Sequence, residues 1–384
     1  METKGKILRD VARTWAPPLM AMLLVHLVMG MAALHSGASN PMDPAMEARW
    51  DSGHYLAIAD KGYEFFSCAS VPGMDPNAWC GNAGWFPGYP LMIRVASWTG
   101  MGAMLAGVVL SALFQLGTLW LVWEKLLGGL WSHRNFLCLL LAAFFPGHIY
   151  YHAVFPISVF TFFATLSLCY LLEHQPFSSG AAGALASFSY STGFLVAPVA
   201  FAFALLAKFQ RHPSGKLRAG MIAAALSLLG FAAVLALHKL EVGQWAAFFK
   251  VQAKYGHGLH NPWHTLRENL APLAAKPSTW TRSVAPALQS ALVAILVMSI
   301  VISMLWRRME MTRQDLLLTL FTLTFWLFPL VMGGGVSIYR AEALLLPACV
   351  LMRRLPLALQ TGLTVCAVFL AYPMAMLFYS SKLV

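Results

Sequence analysis

Arg49-Trp50-Asp51-Ser52-Gly53-His54-Tyr55 is the stretch from which the rest of this sequence is best read. Charged residues are only 11% of the chain and hydrophobic residues 59%, so an acid next to an imidazole stands out. The stretch follows an apolar run at 17–35 and precedes another at 101–123. Each run is close to the roughly 20 residues that cross a bilayer as helix. Asp51 and His54 therefore belong to a polar loop, 36–100, that leaves the membrane and returns to it. The juxtaposition points to proton chemistry at a membrane surface.

Working outward from that loop, further apolar runs lie near 135–154, 156–173, 180–192, 194–207, 219–238, 286–306, 314–331, 338–353 and 356–379. Together they predict one all-α polytopic membrane domain over 1–384, with about eleven transmembrane or half-spanning helices. This composition excludes an ordinary soluble domain. A net charge of +11 does not imply nucleic acid, because the basic residues sit in short clusters between spans. Those clusters are Lys4, Lys6, Arg9 and Arg13; Lys125 and Arg134; Lys208, Arg211, Lys216 and Arg218; Arg307, Arg308 and Arg313; and Arg353 and Arg354. Retention of all of them on the cytoplasmic side puts loops 36–100 and 239–285 on the opposite face. The same rule splits 180–207 into two half-spans turning near Ser191-Thr192-Gly193, the alternative being one tilted helix. Broken helices at membrane depth are tolerated where they border a cavity. The basic stretch Met1–Arg13 reads as the flank of an uncleaved anchor.

Within the first loop, Asp43-Pro44 is a helix start and Gly62 a helix stop. The spacing predicts one interfacial helix between them, with Glu47, Asp51 and either His54 or Tyr55 sharing a face. Cys68 and Cys80 lie too far apart for CxxC chemistry. In an oxidising compartment they would pair as a disulfide; otherwise they are two free thiols. Cys138, Cys169, Cys349 and Cys366 fall in apolar runs and read as small hydrophobes.

The ordered set Arg49-Trp50-Asp51-x-x-His54, Gly62-Tyr63, then Phe86-Pro87-x-x-Pro90 resembles the glycosylphosphatidylinositol second-mannosyltransferase family and its bacterial relatives, in glycosyltransferase superfamily C. The resemblance is strongest over 49–94, with weaker echoes at 145–160, 189–193, 252–262 and 337–347. It implies a multi-pass enzyme of a bacterial inner membrane whose site faces the extracytoplasmic side. The donor would be a polyprenyl-phosphate-linked hexose, mannose by family. The acceptor would be a hydroxyl of a glycan, lipid or protein, with no other cofactor. Some superfamily members use a divalent ion, which Glu47 and Asp51 could meet here, but two acids alone make a weak case for a metal. Asp51 matches the acid assigned as general base. Removing the acceptor proton as C1 is attacked lowers the barrier, and a phosphate leaves without a second acid.

The leaving phosphate needs positive charge or donors, and Arg340 beside Tyr339 is the best candidate. Arg49, Trp50, His54, Tyr63, Phe86, His152, Tyr190, Gln252 and Lys254 complete the expected substrate-binding set. Two departures from the family concern sugar and acceptor identity: no acid stands in Phe155-Pro156-Ile157-Ser158, and Tyr190 replaces an arginine before Ser191-Thr192-Gly193. In the second loop, His257, His260 and His264 lack the partners of a zinc site. Gly333-Gly334-Gly335 lacks the lysine of a phosphate loop and reads as a tight turn. A lipid-linked sugar transporter and a noncatalytic membrane scaffold are the competing classes.

Overall fold

A computed structural model describes residues 2–209, 215–276, 283–306, 310–333 and 337–383, the side chains of 2–10, 207–209 and 215–216 excepted. Arg211, Arg307, Arg308, Gly334 and Gly335 lie outside the described residues, as do the side chains of Lys4, Lys6, Arg9, Lys208 and Lys216.

The protein is an all-α polytopic membrane protein. Among the described residues, six helices are long and apolar enough to cross a bilayer: Val11–His35, Ala103–Leu126, Leu217–Val242, Val284–Trp306, Arg313–Val331 and Leu357–Tyr379. The other five expected spans are shorter or broken. The run 135–154 becomes a helix His133–Ala143 that stops before Pro146 and Gly147, the latter at φ +81°. A 3-10 turn, His148–Tyr151, follows. The run 338–353 becomes a short helix Ile338–Ala343 and a 3-10 segment Leu346–Arg354. Apolarity foretold their burial but not their regularity. Residues 344–352 are buried, so irregular backbone there meets protein rather than lipid.

The stretch 180–207 is broken as expected. Helices Pro176–Ser189 and Val196–Phe209 are separated by Tyr190 in an extended conformation and a 3-10 turn at Gly193–Leu195. Fourteen residues of helix rise only about 21 Å, short of a full crossing. Both half-spans pack on Gly215–Val242 through small residues. A Cβ on Gly230 would lie 1.9 Å from the Ala184 carbonyl oxygen, and one on Gly183 would lie 2.0 Å from Ser227 Oγ. The contact is thus backbone-close, as in small-residue membrane packing.

All the long loops gather at one end of the bundle. Glu47 accepts a hydrogen bond from Tyr379 Oη at 2.7 Å, and its carbonyl accepts one from Val154 N at 2.9 Å. Gln252 Nε2 donates to the Gly84 carbonyl at 3.0 Å, and His260 N to the Val331 carbonyl at 2.7 Å. The opposite end is tied by Lys125–Glu173 at 2.9 Å and by Arg134 donating to the Leu355 carbonyl at 2.7 Å.

Candidate active site

The first loop corrects one local expectation. Instead of a continuous helix from Asp43 to Gly62 there is a 3-10 turn, Pro44–Met46, capped by Asp43, then a break, then helix Ser52–Lys61. Trp50 makes the break: its φ of +51° is left-handed, which side chains rarely adopt. The helix therefore begins at Asp51 instead of carrying it mid-face. The Asp51 carbonyl accepts from His54 N at 2.9 Å while its side chain does no capping. A carboxylate at this end is favoured by the aligned peptide dipoles.

That free side chain meets Arg340, 289 residues later: Arg340 Nη1 donates to Asp51 Oδ2. The pair is not sealed, with 29% of the Asp51 side chain and 16% of the Arg340 side chain exposed. Each partner keeps capacity in reserve. Among the described residues Asp51 Oδ1 accepts no hydrogen bond, and Arg340 Nε is buried without an acceptor. Tyr55, Tyr150, Tyr190, Tyr255 and Tyr339 all lie within electrostatic reach of both charges. The Phe155 ring centre is 6.0 Å from Arg340 Cζ.

His54, on the first turn of its helix, stacks on Trp85 with ring centres 3.6 Å apart. Burial lowers its pKa, the Asp51 charge opposes that, and Lys254 adds to it. Lys254 follows helix Ala247–Ala253, and burial lowers its pKa too. Glu47 and Asp51, the two acids that could meet a divalent ion, turn to different partners, Tyr379 and Arg340. Glu47 is half-buried, its Oε2 has no partner, and burial raises its pKa from 4.5 to about 7 despite the Tyr379 hydrogen bond and the charge of Arg49.

The structure thus brings Asp51, His54, Tyr190, Lys254, Tyr339 and Arg340 together. Other expected site residues brace the loops around them. Tyr63 Oη donates to the Trp85 carbonyl at 2.8 Å, and its backbone N donates to Glu241 at 2.9 Å. Phe86 is buried between Phe231 and Phe248. His152 is buried against His26 with ring centres 4.7 Å apart. Gln252 spends its amide on Gly84, so it holds helix Ala247–Ala253 against the first loop. Trp50 is exposed, and Arg49 donates to Met46 Sδ at 3.6 Å. Cys68 and Cys80 are joined across the two-stranded hairpin Phe65–Ser67/Trp79–Gly81, with Cα atoms 5.1 Å apart.

Gly88 explains why Trp85-Phe86-Pro87-Gly88 matters. A Cβ there would lie 2.4 Å from Ser189 Oγ and 2.8 Å from Ser189 Cα. The loop thereby seats directly on the broken helix just before Tyr190. Beside this contact runs an apolar groove of about 480 Å³ lined by Leu91, Met92, Val95, Leu110, Phe114 and Leu185, with Gly88 and Ser189. Tyr150 and Phe155 carry no signal of their own in the sequence, because an aromatic near a membrane surface ordinarily reads as an anchor.

No family model matches the chain, and no curated protein matches it in sequence. Solved structures do. The oligosaccharyltransferase of Archaeoglobus fulgidus in its apo form aligns over 94% of this chain at 12% identity and a TM-score of 0.50. The same enzyme tethered to an acceptor peptide aligns over 94% with a TM-score of 0.49. The likeness is one of fold alone, an all-α membrane bundle. This chain spans about 56% of that neighbour's length.

Proposed function

We propose that the protein is an inverting glycosyltransferase that moves a hexose, mannose in the first instance, from a polyprenyl-phosphate carrier to an acceptor hydroxyl at the extracytoplasmic membrane face. The observation that carries this reading is the half-open Asp51–Arg340 pair with one carboxylate oxygen and one guanidinium N–H uncommitted. Arg340 holds Oδ2 and so orients the carboxylate. Oδ1 takes the proton of the acceptor hydroxyl as that oxygen attacks C1, and the C1–O bond to phosphate breaks on the far side. A positioned carboxylate contributes about 10²–10⁴-fold to such a step. The remaining N–H donors of Arg340, with Lys254, hold the departing phosphate, which leaves as an anion and needs no proton. One guanidinium thereby serves base and leaving group together. His54, stacked on Trp85 and lowered in pKa, serves as a neutral hydrogen-bonding group, and Tyr190, Tyr255 and Tyr339 supply hydroxyls to the sugar. The groove along Leu91, Met92, Leu110, Phe114 and Leu185 suits an isoprenoid tail, since nothing in it except Ser189 is polar.

The test is mass spectrometry of products from purified protein incubated with polyprenyl-phosphate mannose and a panel of glycan, lipid and peptide acceptors. A hexose added by the wild-type protein and lost in folded Asp51→Asn protein is the expected result. Transfer by Asp51→Asn at the wild-type rate would remove the mechanism. Translocation of the carrier without product would replace it with transport.

A further inference from the structure

We infer that Gln289, in the middle of no motif, is the positioning residue that sets Arg340 against Asp51; this rests on the reading of that pair given above. Gln289 lies on helix Val284–Trp306 and is only 1% exposed. Its side-chain amide is fully spent on two separate turns. Oε1 accepts from Gly147 N at 2.9 Å; Nε2 donates to the Tyr339 carbonyl at 2.9 Å and to Glu342 Oε2 at 2.7 Å. Gly147 opens the turn that carries Tyr150, and Tyr339 and Glu342 flank Arg340 on its six-residue helix. One side chain therefore joins the two turns that face the pair.

The junction leaves no room for slack. Gly147 is left-handed at φ +81°, and a Cβ on it would lie 2.8 Å from Ala343 Cβ and 2.9 Å from the Tyr339 carbonyl oxygen. Tyr151 Oη also donates to the Ala343 carbonyl, and the Tyr150 and Tyr339 rings stack at 6.1 Å. Helix Ile338–Ala343 is too short to hold its own orientation, so its direction is set by these contacts. A carboxamide suits the junction because it offers an acceptor to Gly147 N and two donors to the carbonyl and the carboxylate. Carboxylate or hydrocarbon at 289 removes the donors and leaves buried acceptors unpaired.

The test is a double-mutant cycle with a structural readout beside it. Gln289→Leu is expected to lower kcat about 100-fold with little change in KM, as for a misplacement remote from the chemistry. In an Arg340→Ala background the same change should alter transfer by no more than about twofold, because the role runs through Arg340. Glu342→Gln keeps an acceptor for Gln289 and is expected to retain function where Glu342→Leu loses it. Independently of turnover, protein carrying Asp51→Cys, Arg340→Cys and Cys366→Ser is bridged between positions 51 and 340 by a short bifunctional thiol reagent. Bridging should fall about tenfold on adding Gln289→Leu. Full additivity in the cycle, or unchanged bridging, would overturn the inference. A wild-type protein that transfers no sugar while bridging still depends on Gln289 would overturn the proposed function and leave the positioning intact.

Discussion

The two ends of the bundle each hold an aspartate beside arginine, and they differ in exposure and in how many donors hold them. Asp315, at the end opposite the long loops, is fully buried and accepts from Arg354 and from both the N and Oγ1 of Thr312, at 2.9 and 2.7 Å for the last two. Arg353 approaches its other oxygen at 3.7 Å. It closes a capping box and joins helix Arg313–Val331 to the 3-10 segment that ends at Arg354. Asp51 has one arginine, one free oxygen, an exposed flank and a left-handed residue before it. A carboxylate with no exposed surface, held by three donors and flanked by two arginines, holds a fold together. One with an open flank, beside a residue held in a costly conformation, is available for work.

The contrast breaks most sharply under matched substitutions. Asp51→Asn is expected to abolish transfer, a loss of about 10²–10⁴-fold, with a smaller loss of thermal stability in detergent than Asp315→Asn brings, since Asp51 is partly exposed. Asp315→Asn should do the reverse, costing about 3 kcal/mol of stability through the unpaired arginines while kcat per folded molecule stays level. Comparable stability losses in both would place the two pairs in one structural class. Arg340→Lys comes next, at about 10²-fold in kcat/KM. A lysine keeps the charge but cannot hold Oδ2 and phosphate in fixed directions at once. Full activity in that variant would reduce Arg340 to a point charge.

A smaller effect is expected from Gly88→Ala, where the new methyl must push Ser189 aside. A shift of Tyr190 then lowers kcat about tenfold, with Asp51–Arg340 unaltered in a structure of the variant. Unchanged kinetics would mean that the broken helix does not feed the site. The smallest effect concerns pH. Glu47 holds its proton in the folded protein up to about 7 by burial, where an unfolded chain releases it near 4.5. Between those values the folded state binds more protons, so stability falls as pH rises and is level above about 7. Glu47→Gln should flatten that slope in a melting series from pH 4 to 8. Identical slopes would show that Glu47 is not held neutral.

Much of this was legible in residue order. The apolar runs identified the six long crossings, the basic clusters implied the break near Ser191, and Arg49-Trp50-Asp51 marked the first loop. Arg340 was legible as an arginine at a membrane edge, where an unpaired charge is costly. The direct contact with Asp51 was not, since two residues 289 apart carry no local signal of meeting. Nor were the packing partners of Tyr63, Phe86, His152 and Gln252, because a side chain's hydrogen-bond partner is invisible from its type alone.

Sequence by itself determined what is set by composition and period: a membrane solvent, helices as the crossing element, and polar chemistry confined to loops, because backbone groups in lipid must bond within their own segment. Only the tertiary structure decided which crossings stay regular and which collapse into short turns. It also decided that Trp50 breaks the first-loop helix at Asp51, and that Gln289 ties Tyr339 and Glu342 to Gly147. Those outcomes depend on packing against distant segments, where a missing Cβ or one amide selects among conformations that local sequence leaves nearly equal in energy.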